Sequence, residues 1–554
     1  MICCRRLRHA CSNSILPVAA YQKYTRQQIV LSGPTLADAS ALDDASTLDD
    51  ATAMMRPRGR TTATPERTRR ACLDWLREHA IAFDPARGPS LRALKVLTPL
   101  LQGKRVAMLG ETVQQVHETY AFRVALLRFL AGHGFNLIGA QASWSDGARI
   151  QRFLTANALT ELDRTALLGY RGSARTDRDD SPADRAPGMA MGSAIGAGSA
   201  TANRQQESAA SRAKRLHWQS ANQAAMHKEQ RRFYIALRKL CERRKPEHGS
   251  ISVFGFDADD SLGDTYEEID ALLRPRRHPR IDTLRQLLAR VPGEDMTAEI
   301  DRLAWALDWL DLQYASLADQ LGSGGFAHVR HLLALLHDSF ELARVAWHTD
   351  DPARMAESHA LRDTVMHSSV AYALAEHQPE SKAVLIGAAQ HLPKCDAGML
   401  VLPPHHARAQ PDSARRSPSA DDVTNTAAVS RGAATASQGV ATARASLGSF
   451  VAQTLLPEQV FSMWFIYGGG TDGQTHDLKQ RQLAAPKHTL NALLRQVGGA
   501  FVLPLVELDD PRAAPLLASL QVMQSGNCAV QMRLTEQLDA LYFVPQVTAV
   551  EALR

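Results

Sequence analysis

Four short apolar runs each lead into a group that can do chemistry. "RVAMLG" runs into Glu111, "FNLIGAQ" ends on Gln141, "SISVFGFD" ends on Asp257, and "KAVLIGAAQHLPK" carries His391 just past its apolar stretch. A carboxylate and an imidazole brought together can run general acid–base hydrolysis, because imidazole titrates near neutral pH and a carboxylate fixes its tautomer. Such residues also serve as ordinary helix caps and turn formers, so the set of four carries more than any one of them. The stretch "LGETVQQVHETYAFR" adds His117, Glu118 and Arg123. A helix beginning near Val113 would put Gln114 and His117 on one face, a turn apart. His117 would then approach the strand ends with Glu111 or Glu118 as partner; the competing reading is a first-turn surface histidine. Arg123 supplies a cation that could orient substrate or stabilise an oxyanion.

Other chemistries find less support. Glu111, Asp257 and His391 could ligate a metal, but no tight ligand spacing accompanies them, and no metal or cofactor is expected. "YGGGTDG" (467–473) lacks the Gly-Lys-Ser/Thr ending of a phosphate loop and reads as a wide turn at the sheet edge. No Gly-x-Ser-x-Gly elbow occurs, which disfavours a conventional serine hydrolase. The "HH" pair at 405–406 lies in a low-complexity segment and reads as solvated.

These residues need elements to hold them. The runs at 105–110, 135–141, 250–257, 382–389, 460–468 and 539–545 are of strand length and nearly continuous in apolar residues, the pattern of strands covered on both faces. Helical patterns separate them, as in Tyr120, Val124, Leu127 and Leu130. The fold class is therefore α/β, a mostly parallel β-sheet flanked by helices, with ligands expected outside the carboxyl ends of the strands. Residues 281–378 differ, being consecutive amphipathic helices broken at "PGED", "GSGG" and "HTDDP". They read as an inserted all-helical subdomain that walls or lids the cleft.

The chain has 554 residues, 45% hydrophobic and 22% charged, with a net charge of +5. That balance is globular and lacks the concentrated basic face of a nucleic-acid protein. The seven cysteines are sparse and contain no CxxC, which suggests reduced thiols. No apolar stretch reaches about 18 residues, so no membrane span is expected and the localisation reads as cytoplasmic. Residues 1–65 read as a disordered, basic leader, with a transit peptide or a true start at Met54 or Met55 as the alternatives. Residues 66–554 form the domain. Low-complexity insertions at 171–210 and 404–446 are small, polar and Ala/Ser/Pro-rich and cannot bury enough apolar surface to offset their ordering entropy.

At this point the blocks resemble a known family. "LGETVQQVHETYAFRVALLRFL" is similar to the opening motif of the erythromycin esterase family, usually Gly-Glu-x-x-His-Gly, then a Glu, then an Arg or Lys five residues on; Glu111, Glu118 and Arg123 match. "FNLIGAQASWSDGARIQRFL" resembles its second block, usually Phe-Glu-Ala-x-Trp, with Ala142 and Trp144 matching. "VFGFDADD", "RDTVM" from Arg362, and "KAVLIGAAQHLPK" resemble later blocks, the last usually Ala-His-Asn-x-His-x-x-Lys. The resemblance runs from about 95 to 551 outside the two insertions. It implies ester or macrolactone hydrolysis of a small-molecule ester or macrolide-like ligand, with a histidine tuned by glutamates as base on a water. Glu111, His391, Arg123 and His117 would be the catalytic candidates, and Trp144, Asp257 and Arg362 the substrate-binding ones. The departures are as informative. The first-block histidine aligns with Gln114 and the glycine after it with Gln115; the second-block glutamate aligns with Gln141; the first fourth-block histidine aligns with Ala388. An amide cannot act as a base or carry negative charge. The expectation is an impaired hydrolase or, alternatively, a silent homologue that binds a small ligand or protein partner in the same cleft.

Overall fold

The computed structural model describes residues 65–156, 228–244, 249–258, 262–289, 295–346, 352–377, 380–395, 400–402, 446–473, 480–524 and 528–550. The expected leader, except Pro65, and the insertion at 171–210 lie outside these residues; of the insertion at 404–446 only Ser446 falls within them.

Thirteen described strands follow in chain order: β1 (Ile81–Phe83), β2 (Val106–Glu111), β3 (Phe135–Ser143), β4 (Ser252–Asp257), β5 (Lys382–Ala388), β6 (Leu400–Leu402), β7 (Val460–Tyr467), β8 (Gly470–Gly473), β9 (Gln480–Leu483), β10 (Ala500–Pro504), β11 (Ser519–Met523), β12 (Ala529–Arg533) and β13 (Ala540–Val544). Eight of them build one sheet in the order β1-β10-β13-β7-β2-β5-β3-β4. From β13 to β4 all neighbours are parallel, whereas β10 runs antiparallel to both β13 and β1. Every residue of β2 and β7 is buried. That is why these strands read as unbroken apolar runs: helices cover both faces of the sheet.

The longer helices are α1 (Pro65–His79), α2 (His117–Ala131), α3 (Trp144–Ala156) and α4 (Lys228–Arg243), then α5 (Leu262–Leu273), α6 (Pro279–Leu287), α7 (Met296–Leu312), α8 (Tyr314–Leu321), α9 (Ser323–Ala346) and α10 (Pro352–Glu376), then α11 (Leu447–Leu455) and α12 (Leu490–Arg495). The run α5–α10 lies between β4 and β5 and has its own apolar core, including Leu303, Leu310, Leu332 and Leu336. The helices therefore begin at Leu262, ahead of the expected 281. One break is added and one of the expected breaks narrows. The run from Met296 to Leu321 is two helices that part at Gln313, and in "GSGG" Gly322 alone breaks the chain, at φ +75°, while Ser323 opens α9.

Two glycines allow backbone to touch backbone. A Cβ on Gly147 would sit 2.0 Å from the Gly255 nitrogen, so α3 packs directly on β4. Gly470, at φ +126°, would place a Cβ 2.0 Å from the Val547 carbonyl oxygen. The stretch "YGGGTDG" is thus not a wide turn at the sheet edge. It leaves β7, a central strand, and enters the two-stranded β8–β9 ribbon, which the segment around Val547 touches through Thr471 N–H.

Candidate active site

The carboxyl ends of the parallel strands gather the expected groups. Glu111 ends β2 in register with Ala388 on β5. Gln141 lies near the end of β3, and Asp257 closes β4 opposite Ser143.

Glu111 and Arg123 form a closed pair. The Arg123 Nε and Nη2 donate to the two Glu111 oxygens at 2.5 and 2.6 Å, and both side chains are buried. Burial opposes the arginine's charge, but the Glu111 carboxylate beside it outweighs burial and raises the guanidinium's pKa. The guanidinium also lies over the Tyr120 ring, 4.7 Å from its centre.

The three positions at which the sequence departs from the resembling motifs meet one another. The Gln141 Oε1 accepts the Ala388 backbone N–H at 2.6 Å and the Gln114 side-chain amide at 3.4 Å. What stands there is a neutral amide cluster. Gln114 reaches it from a loop, not from a helix. The segment after β2 does not turn helical at Val113, because Gln115 adopts φ +58°, and α2 starts only at His117.

His117 accordingly faces elsewhere. Its Nδ1 lies 3.2 Å from a Glu229 oxygen on α4, its side chain is 45% exposed, and it lines a groove that includes neither Glu111, Arg123 nor His391. The expected approach of His117 to the strand ends, with Glu111 or Glu118 as partner, is overturned by the late helix start. Glu118 instead accepts from the Thr548 N–H and hydroxyl at 2.9 and 2.8 Å.

His391 is buried in a short 3₁₀ turn after β5. Its Nδ1 lies 2.7 Å from Asp363 Oδ1 and its Nε2 3.3 Å from the Gln390 side-chain amide. With Nδ1–H donating to the carboxylate, Nε2 carries the lone pair, which is the tautomer a general base needs. The same Asp363 oxygen accepts the Leu447 N–H at 3.3 Å. Asp363 was not anticipated, although "RDTVM" places it directly after Arg362; the i, i+1 neighbours face different partners. Arg362 grips Asp257 with two hydrogen bonds, at 2.9 and 2.5 Å. Trp144 sits among aromatic rings, 4.4 Å from His331 and 5.4 Å from Tyr372, and so pins the helical run to the sheet. Glu111, Asp257 and His391 each have an ion-pair partner of their own, and among the described residues no three metal-ligating side chains cluster.

Comparison with known proteins bears on the family and the fold. The erythromycin esterase family pattern matches residues 130–547, about three quarters of the chain, starting after the Glu111–Arg123 block. No curated protein matches the sequence. Three solved structures share the fold. A Bacillus cereus protein aligns with TM-score 0.56 at 14% identity, over 88% of this chain and 99% of its own. A protein described as a succinoglycan biosynthesis protein aligns with TM-score 0.56 at 10% identity, over 89% and 99%. A histidine-to-asparagine variant of the erythromycin esterase EreC, in its open conformation, aligns with TM-score 0.51 at 14% identity, over 83% and 95%. With the pattern spanning the strands that carry Gln141, Asp257 and His391, the chain belongs to the erythromycin esterase family.

Proposed function

We propose that the strand ends take a small ester- or macrolide-like molecule and that His391, held by Asp363, is the remaining base for its hydrolysis, at a rate cut by the neutral residues at 114, 141 and 388. One observation carries this reading: Gln114, Gln141 and Ala388 converge on a single hydrogen-bonded cluster. Losing a positioned base costs a factor of about 10²–10⁴, and here the loss falls on neighbouring positions of one site. The Asp363–His391 pair supplies an oriented imidazole, and Arg362, next to Asp363 in sequence, holds Asp257 at the end of β4, two strands from β5.

A second reading, binding without turnover, is favoured by the burial of His391 and by the engagement of both its ring nitrogens. Hydrolysis of erythromycin and a panel of simple esters separates the two. The wild type is expected to be slow, His391→Ala inactive, and Gln114→His/Gln141→Glu/Ala388→His faster than wild type. Wild-type activity untouched by His391→Ala would sink the first reading. An inert wild type with an active triple variant would support binding in a site that has lost its chemistry.

A further inference from the structure

A concavity lies away from the strand ends. It is a groove of about 720 Å³ along the seam of α2 and α4, walled on its third side by residues of the 82–93 segment. His117 meets Glu229 and, a turn later, Tyr120 meets Phe233, so the two helices run in the same direction and hold a straight seam. The lining is apolar where they face each other, and small except for Phe233: Ala121, Val124 and Ala125 on one side, Phe233 and Ala236 on the other. Alanines keep this seam open where leucines would fill it. A smaller hollow adjoins it, shares Val124, Arg128, Phe233 and Ala236, and is otherwise lined by leucines. Arg128 thus stands where the two meet.

The charges in the groove are unequal in their freedom. Its carboxylates are engaged: Asp84 accepts the Ala86 N–H at 3.0 Å and lies 3.6 Å from Arg87, and Glu229 holds His117. The exposed side chains of Arg128 and Arg232 have no hydrogen bond or ion pair among the described residues. A hollow of this size suits one small organic molecule. Its apolar seam calls for an apolar body, and an unengaged guanidinium calls for a planar anion that can take two parallel N–H donors.

We propose that this groove binds an amphipathic carboxylate, with its apolar body along the alanine seam and its carboxylate on Arg128. The site is separate from the strand-end site and does not rest on the hydrolase reading.

Isothermal titration of the full chain with decanoate tests it, beside decanol as the uncharged counterpart. Saturable one-to-one binding of decanoate is expected, with decanol and the Arg128→Glu variant each weaker by about tenfold or more, as for loss of a close charge pair. Ala125→Trp, which fills the seam, is expected to abolish binding while leaving the thermal midpoint unchanged. Should that variant fail to fold, Ala236→Leu fills the seam from the opposite wall. No saturable binding by the full chain, the outcome if other residues of the chain occupy the groove, overturns the proposal. Binding that survives both filling variants, or that ignores Arg128→Glu, overturns it equally.

Discussion

Glu111 and Arg123 were expected to do chemistry, and the geometry makes them a structural pin. All four atoms of the two hydrogen bonds meet below the surface, and Arg123 is 2% exposed. Such a pair is costly to break one-sidedly, because the partner is left as an uncompensated buried charge, at about 3–5 kcal/mol. Replacing both members by apolar residues removes that penalty. Glu111→Gln is therefore expected to lower the stability measured by urea unfolding by about 3–5 kcal/mol, while Glu111→Leu/Arg123→Met recovers most of the loss. A single-variant loss under about 1 kcal/mol would mean that the pair does not anchor α2 to β2. The residue identities at 111 and 123 were legible in the sequence; their mutual engagement was not, since a twelve-residue separation says nothing about which way two side chains point. Asp363 was missed for a related reason. Arg362 of "RDTVM" engages Asp257, whereas the aspartate beside it holds the only imidazole placed at the strand ends among the described residues.

At the level of elements, the long buried strands were readable because burial on both faces writes an unbroken apolar run; β2, β5 and β7 lie within a residue or two of their expected bounds. The short antiparallel strands β1 and β10 were not, being three and five residues long and recognisable only once paired. The helix that could begin near Val113 does not: Val113 and Val116 are buried at helical spacing, but Gln115 between them has positive φ and the helix opens at His117. The turning point of the loop ahead of it is Gln115, at φ +58°, whose carbonyl accepts from Gly473 N–H and Val550 N–H at 3.1 and 3.2 Å. The resembling family motif has glycine there. A side chain in this region costs about 1–2 kcal/mol, and a glycine avoids that while giving up about 0.5–1 kcal/mol of chain entropy. Gln115→Gly is accordingly expected to leave stability nearly unchanged. Gln115→Val, which cannot relax its branched Cβ, is expected to cost about 1–3 kcal/mol. Equal losses for both in a thermal or urea melt would show that the side chain, not the backbone conformation, is what the loop needs.

The helical run packs against α3 and α11 through buried imidazoles, and this gives the folded chain a pH dependence of its own. His331 on α9 stacks on Tyr372 at 4.1 Å and meets the edge of Trp144 at 4.4 Å. Burial, with smaller effects from His328 and Arg330, lowers its pKa to about 3, and its Nε2 has no partner among the described residues to share a proton. His367 on α10 stacks on Phe450 of α11 at 4.8 Å, and burial lowers it to about 4. Both folded values lie below the ordinary 6.5 of an unfolded histidine. As pH falls below 6.5 the unfolded chain takes up protons that the folded chain refuses, so the stability these groups contribute is full above that pH and drains away towards pH 4 and then 3. Each histidine adds a slope of about 1.4 kcal/mol per pH unit in this window. Two of them would consume a large part of an ordinary stability of about 5–15 kcal/mol before most carboxylates titrate. Urea midpoints measured from pH 7 to 4.5 are expected to fall steeply in the wild type, and His331→Leu/His367→Leu should flatten that fall by nearly two protons' worth. An unaltered slope in the double variant would show that these histidines do not set the acid limit and that the carboxylate pairs do.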